Sequence, residues 1–231
     1  IYQKEEIFRQ EGWNYHLEKK EGPLTYNGVV YNEMKGAFSS PDDVLEREIM
    51  NGLFPDNTYG VESGGDPNNI PELSYEEFLD FHRTYYHPSN SYIYLYGNMD
   101  MEEKLKFIDE KYLSAFDTLD VDSQIPKQPA FAQVKEFEKE YPVAENEEEE
   151  GKAFLSYNMV VGDAMDSMLG VAFDVLDYAL LSAPGAPLKK ALLDAGIGKD
   201  IYGSYNDGFL QPYFSVIAKD ARTEQKEEFV A

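Results

Sequence analysis

Apolar residues recur at three- and four-residue spacing along some stretches of this chain and at two-residue spacing along others. The first period marks helices with one buried face, the second half-buried strands. Residues 2–10 read as the last turns of a helix that Gly12 stops. Trp13, Tyr15 and Leu17 then alternate with Asn14, His16 and Glu18, a strand pattern. Gly22-Pro23 is a turn signal. Val29, Val30, Glu33, Met34 and Phe38 return to helical spacing, so a helix is expected from near Asn27, with Asn27 as its N-cap. Ser40-Pro41-Asp42-Asp43 combines an N-cap, a first-turn proline and an acid three residues on, and predicts a helix to about Leu53 that buries Val44, Ile49 and Leu53. Residues 54–73 are rich in Gly, Pro, Asp and Asn and read as loop. Ser74 and Glu77 open a helix whose face is Phe78, Phe81 and Tyr85, closed by His87-Pro88-Ser89-Asn90. Residues 91–97 (SYIYLYG) alternate like a strand, and 100–116 form an amphipathic helix through Leu105, Ile108, Tyr112 and Phe116.

Residues 117–133 are polar, carry Pro126 and Pro129, and show no periodic pattern. They predict a linker between a domain over 1–116 and another over 134–231. The second half reads as strand 134–141, an acidic hairpin tip at Glu147 to Glu150, strand 153–161, helices over 164–182 and 187–195 ended by Gly196, then strands at Tyr202 to Asp207 and Gln211 to Ala218. Strands that adjoin without crossover helices predict an α+β fold with mixed, largely antiparallel sheets rather than a doubly wound one. The expectation is that the chain opens inside one domain and closes inside another.

Composition narrows the function. Lys and Arg number 20 against 44 Asp and Glu, a formal net charge of −24. Neutralising phosphates needs basic patches, so a general nucleic-acid binder is excluded, and docking on anionic lipid is disfavoured. The absence of cysteine excludes disulfide scaffolds, thiolate metal sites and a Cys nucleophile. No apolar run approaches the roughly 20 residues that span a bilayer. A secretory signal pattern is also lacking, which favours a cytoplasmic home. Hydrophobic residues at 42% and aromatics at 14% suffice for a core.

No complete catalytic motif is present. The chain lacks a phosphate-binding glycine loop, a dinucleotide fingerprint, a nucleophile elbow and both orders of the two-histidine zinc motif. Its histidines are His16, His82 and His87. His82 and His87 are five apart, which puts them on different helix faces, so they read as a packing residue and a loop hydrogen-bonder. The Ser63–Pro67 loop reads as structural, with Asp66 bonding backbone amides. Glu11 and Trp13 read as anchors of a helix-to-strand junction. The tyrosines at 92, 94 and 96 have no accompanying basic groove and do not read as a base-stacking platform.

What rises above background is a joint pattern. It runs through Gln10-Glu11-Gly12-Trp13, Gly28-Val29-Val30-Tyr31-Asn32-Glu33-Met34-Lys35-Gly36 and Ser63-Gly64-Gly65-Asp66-Pro67. It continues through Phe81-His82-Arg83, Tyr86-His87-Pro88-Ser89-Asn90-Ser91 and Tyr96-Gly97-Asn98, with Leu210-Gln211-Pro212-Tyr213-Phe214-Ser215 later on. In this order and spacing the chain resembles the pitrilysin/insulinase superfamily of zinc metallopeptidases, in its presequence-protease branch. The resemblance implies repeated α+β domains enclosing a chamber in which short unfolded peptides are hydrolysed. It implies a zinc site built from an inverted H-x-x-E-H motif, expected N-terminal to residue 1, and a third ligand that aligns with Glu33. Catalytic zinc takes three protein ligands and keeps a position for water, and a carboxylate among Val29, Val30 and Met34 is costly unless paired or metal-bound. The same resemblance leaves this chain with one ligand and no catalytic base, so alone it is expected neither to bind zinc tightly nor to cleave peptides. Its implied partners are peptide substrates and the remainder of the same polypeptide, with no nucleic acid and no membrane, in a bacterial cytoplasm. A non-catalytic subunit of the same fold is the alternative, and an acidic module for cationic peptides a third. Acidic chamber walls would draw in basic peptides through long-range attraction.

Overall fold

The computed structural model describes residues 3–146 and 149–231. Glu147 and Glu148, half of the acidic run, lie outside the described residues. The chain folds as two compact units, one of residues 1–35 and 64–125, the other of residues 36–63 and 126–231.

The first unit opens with helix α1 (Glu5–Glu11), a hairpin of β1 (Asn14–His16) and β2 (Thr25–Asn27), and helix α2 (Val29–Ala37). The hairpin is antiparallel, with Tyr15 opposite Tyr26 and Asn14 opposite Asn27. Strand β2 and its pairing lie just before the expected helix start near Asn27, in residues to which the pattern assigned no element. Three residues are too short for alternation to register, and only the cross-strand ladder defines them. Helix α4 (Tyr75–Tyr85) begins at Ser74, whose Oγ accepts from the Glu77 amide at 3.2 Å while Glu77 accepts from the Ser74 amide at 2.9 Å. The Ser74 amide and then the Ser74 hydroxyl, which donates to the same carboxylate at 2.7 Å, hold the Glu77 carboxyl below its usual range. Helix α5 (Met101–Lys111) is capped by Asp100, which accepts from the Glu103 amide at 3.0 Å. Phe8 is buried against Tyr75 and Phe78, with ring centroids 5.7 and 5.3 Å away.

Residues 91–97 form no strand, contrary to their alternation. Among the described residues no other strand pairs with them, and Tyr92, Tyr94 and Tyr96 stand exposed. Alternation sets which side chains share a face, but a strand exists only where a neighbour takes up its N–H and C=O groups.

In the second unit, helix α3 (Pro41–Leu53) starts at Ser40, whose Oγ accepts from the Asp43 amide at 3.5 Å. The sheet is antiparallel, of β3 (Ala153–Val160), β5 (Tyr213–Ala221) and β4 (Asp200–Asn206) in that order, with β5 central. Side chains alternate across β5, so its two faces carry different cores. Tyr213 and Ile217 cluster with Ile49, Leu53 and Phe54 at and beyond the end of α3. Phe214 and Ala218 cluster with Leu181, Leu192, Ile197 and Ile201. Leu181 comes from the π turn (Tyr178–Ser182) that continues helix α6 (Ser167–Asp177), Leu192 from helix α7 (Pro187–Asp194), Ile197 from the loop after it and Ile201 from β4. Helix α8 (Lys226–Val230) follows β5.

Two expectations change here. One division between the units falls inside the expected 117–133, between Ile125 and Pro126, but residues 36–63 also join the C-terminal unit, which the expected boundaries did not foresee. Helix α3 belongs with the C-terminal sheet because it buries Ile49 and Leu53 there. Residues from Pro126 on are tied into the same unit, since Gln128 is buried and exchanges hydrogen bonds with Asp56 (2.9 and 2.6 Å) and Gln211 (2.6 and 3.2 Å). Strand 134–141 is also absent. That segment is held by side chains instead: Phe137 lies against Gly52, Lys139 pairs with Glu48 at 3.3 Å, and Tyr141 packs edge-on to Phe154 at 5.8 Å. Within Ser167–Asp194 an 18-residue window reaches a mean hydropathy of 1.2, as membrane-crossing helices do, although Asp174 and Asp177 interrupt the apolar run. These residues do not run as one rod: Ala183 turns to extended geometry and Ala186-Pro187 starts a new helix.

Candidate functional site

Glu33, the one residue that the family pattern marks as a metal ligand, sits in the second turn of α2. Its position follows from a tight junction. Gly28 has φ +151°, and a Cβ there would lie 2.3 Å from the Gly12 carbonyl oxygen and 2.7 Å from the Trp13 Cα. Only glycine permits that approach. The same Gly12 carbonyl accepts from the Tyr31 amide at 3.2 Å, and the Gly28 carbonyl accepts from the Asn32 amide at 3.0 Å, so α2 starts at Val29. Asn27 is not its cap. It ends β2 and accepts from the Asn32 side chain at 2.8 Å.

Trp13 braces this junction. It is buried, its indole N–H donates to the Leu73 carbonyl at 3.2 Å, and its ring meets Tyr15 and Tyr26 edge-on at 5.4 and 5.8 Å. The Arg9 guanidinium lies 5.0 Å from the ring centroid. Glu11 does not share that role. It is exposed, and its carboxylate accepts from the Gln10 side chain at 3.0 Å.

On the other flank, Met34 is packed so closely on Gly64 that a Cβ there would come within 2.3 Å of its sulfur. The Ser63–Pro67 loop is therefore fitted to α2 one residue from Glu33. Asp66 folds the loop by accepting from the Asn68 amide at 2.7 Å, as the sequence suggested.

The face of α2 that carries Glu33 is apolar and open. Val29 and Val30 are exposed, and Glu33 beside them is exposed with no hydrogen-bond or ion-pair partner among the described residues. Among the described residues no cluster of three or more His, Cys, Asp and Glu side chains could hold a metal ion. The structure thus positions Glu33 and brings no second ligand to it. His82 stacks on Tyr86 at 4.8 Å, and His87 Nδ1 accepts from the Ser89 amide at 3.2 Å while its ring meets Phe116 edge-on. These are packing and loop contacts of the kind read for the two residues.

One charged cluster escaped the sequence reading. Asp42, in the first turn of α3, accepts from the Tyr202 hydroxyl at 3.2 Å and from Lys219 at 2.9 Å. Burial first, and then Asp42, push the Tyr202 phenol up to about 12. These residues are 160 and 177 positions apart from Asp42, so no local signal joins them.

The α+β architecture has counterparts among known proteins. The family described as "Peptidase M16 inactive domain" matches residues 72–231, more than half the chain. The chain belongs to the M16, or pitrilysin-type, peptidase family. It is 53% identical over 229 residues to Protein HypA of Clostridium perfringens, covering 99% of this chain and 24% of that protein. It is 39% identical over 221 residues to Presequence protease 1, chloroplastic/mitochondrial, of Arabidopsis thaliana, covering 94% and 20%. To the mitochondrial presequence protease of Xenopus laevis it is 35% identical over 227 residues, covering 96% and 22%. The chain thus spans less than a quarter of the length of these relatives. Among solved structures, a putative M16-like peptidase from Alicyclobacillus acidocaldarius aligns with TM-score 0.54 at 17% identity, over 87% of this chain and 48% of that one. A protease from Helicobacter pylori aligns with TM-score 0.55, also at 17% identity. These two likenesses speak for the fold alone.

Proposed function

We propose that this chain is a segment of a zinc metalloendopeptidase that hydrolyses short unfolded peptides in an enclosed chamber, and that Glu33 is its one contribution to the metal site. The observation that carries the reading is Glu33 itself: an exposed carboxylate without a partner, on an apolar helix face, held by a glycine contact that tolerates no side chain. A lone carboxylate oxygen suits zinc as one donor among three. The chain's own residues do not complete the set, so alone it neither holds zinc tightly nor cleaves peptides. Zinc bound at the composite site would supply Lewis acidity and a water of lowered pKa for attack on the peptide carbonyl. What this chain does is local: Gly28, Trp13 and Met34 hold the helix so that Glu33 is presented at a fixed place. The substrates are peptides, with basic ones favoured by the net charge of −24, and the setting is a bacterial cytoplasm.

The test is metal content and peptidase activity of the full-length polypeptide, with and without Glu33→Gln. Stoichiometric zinc and activity in the parent, both lost in the variant, are expected. Zinc retained at full stoichiometry in Glu33→Gln overturns the assignment, as does submicromolar zinc binding by residues 1–231 alone. A second reading, a non-catalytic homologue of the same fold, draws on the "inactive domain" match over residues 72–231. It predicts no zinc and no activity in the parent. Residue 33 lies outside that match, which is why the first reading is preferred.

A further inference from the structure

Helix α6 is apolar on two sides. Its inner side packs on the sheet: Phe173 stacks on Tyr205 at 5.5 Å and lies 5.8 Å from Phe214. Its outer side carries Met168, Val171 and Val175 at helical spacing, with Met165 before it and Tyr178 after it. All five are exposed, by 60% or more. A surface helix ordinarily turns a polar face to water, and a helix that is hydrophobic all round is an interior one.

The stretch of chain that carries that face has one sign, and the cation that reaches its start, Lys127, is already paired with Asp163. No lysine or arginine occurs between Lys152 and Lys189. Asp166, Asp174 and Asp207 gather near the inner edge of α6, where together with burial they raise the Tyr205 phenol above its ordinary value. An occupant of the face should therefore bring an apolar surface and positive charge. A second copy of this chain, at −24, brings the wrong sign. An anionic lipid surface does too. The relatives of this chain are more than four times its length, so ample polypeptide exists to supply a cover in cis.

We propose that the outward face of α6 (Met165, Met168, Val171, Val175 and Tyr178) seats an amphipathic helix with lysine or arginine along its flank, supplied by the remaining length of the same polypeptide. This rests on the reading of the chain as part of a longer peptidase, but it concerns a surface apart from Glu33 and needs no zinc. The contact is the ordinary one between helices, ridges in grooves over an apolar seam, with the basic flank set against Asp174.

The test uses the full-length polypeptide carrying Val175→Cys, and as a reference Glu103→Cys on the exposed side of α5. Alkylation of each thiol by a maleimide is followed by peptide mass. Val175→Cys is expected to react at least about tenfold more slowly than Glu103→Cys, as suits a site opened only by local unfolding. A carbodiimide should join Asp174 to a lysine of the same molecule, with no light–heavy pairs when two isotopic forms are mixed. Equal alkylation rates overturn the proposal. Light–heavy crosslinks at Asp174 overturn it in favour of a second copy. Protection that arises only on adding phosphatidylcholine vesicles, with or without phosphatidylglycerol, overturns it in favour of a membrane. Far-ultraviolet circular dichroism of each variant matching the parent excludes misfolding as the cause. If Glu33→Gln keeps its zinc while Val175→Cys stays protected, the metal assignment fails and this one stands.

Discussion

The two units hold comparable amounts of aromatic and aliphatic sequence and do different things with it. In the second, Ile201, Phe214, Leu181, Ile197 and Ala218 fill one side of a three-stranded sheet, and Phe54, Tyr213 and Ile217 fill the other. In the first, Phe8 and Trp13 are the buried large apolar side chains among the described residues. Phe78, Phe81, Tyr85, Tyr92, Tyr94 and Tyr96 stay exposed. The difference is the sheet. Three paired strands give a scaffold on which helices can pack from both sides, whereas a hairpin of three-residue strands buries little. The second unit is therefore held by packing. The first is held at the junction around Glu33 by close backbone approach, one indole hydrogen bond and a glycine that cannot be replaced. A site needs only that local rigidity; a domain needs the sheet.

The sharpest way to break this contrast is truncation of a core aromatic in each unit. Phe214→Ala should cost about 3–5 kcal/mol of the second unit's stability, as large-to-small changes of buried aromatics do. Phe81→Ala, on an exposed ring, should cost less than about 0.5 kcal/mol. Chemical denaturation followed by circular dichroism reads both, and equal costs would end the comparison.

Gly28→Ala comes next. Its Cβ meets backbone atoms on two sides and its φ is left-handed, so a loss of about 1–3 kcal/mol is expected. Trp13 is the sole tryptophan, so its fluorescence reports the first unit by itself. The midpoint should fall there while the second unit's transition holds. A shift of both together would mean that the units unfold as one.

The smallest effect expected is at high pH. The folded state raises the Tyr202 phenol to about 12 from an ordinary 10, so the stability it contributes is complete below pH 10 and is lost as pH rises through 12. Tyr202→Phe should flatten the second unit's alkaline stability profile over that window and leave the Trp13 signal unchanged. An unaltered profile would remove Tyr202 from the account.

Helices announced themselves clearly. Ser40, Ser74 and Asp100 cap as their side chains suggest because a cap is a contact within three residues. Glu33 stood out only through a pattern shared with known peptidases, since nothing about one glutamate in a short helix distinguishes a ligand from a solvated charge. Strands were less legible. Residues 91–97 and 134–141 alternate as well as β3 does, and the pairing partner decides between them. Nor was the Asp42–Tyr202–Lys219 cluster readable, because its members come together only when α3 lies on the sheet.

By itself, then, the order of residues determined what is local or compositional: the helices with the Ser40 and Ser74 caps, the Asp66 turn, the acidic balance, and the peptidase family pattern. Tertiary structure alone decided which alternating segments became strands, that residues 36–63 join the C-terminal unit, and which apolar faces were covered and which, like that of α6, were left open. Hydrogen-bond caps act within a single turn, while a sheet ladder or a core exists only between segments distant in the chain. Periodicity says which side of an element is apolar; what lies against that side is settled in three dimensions.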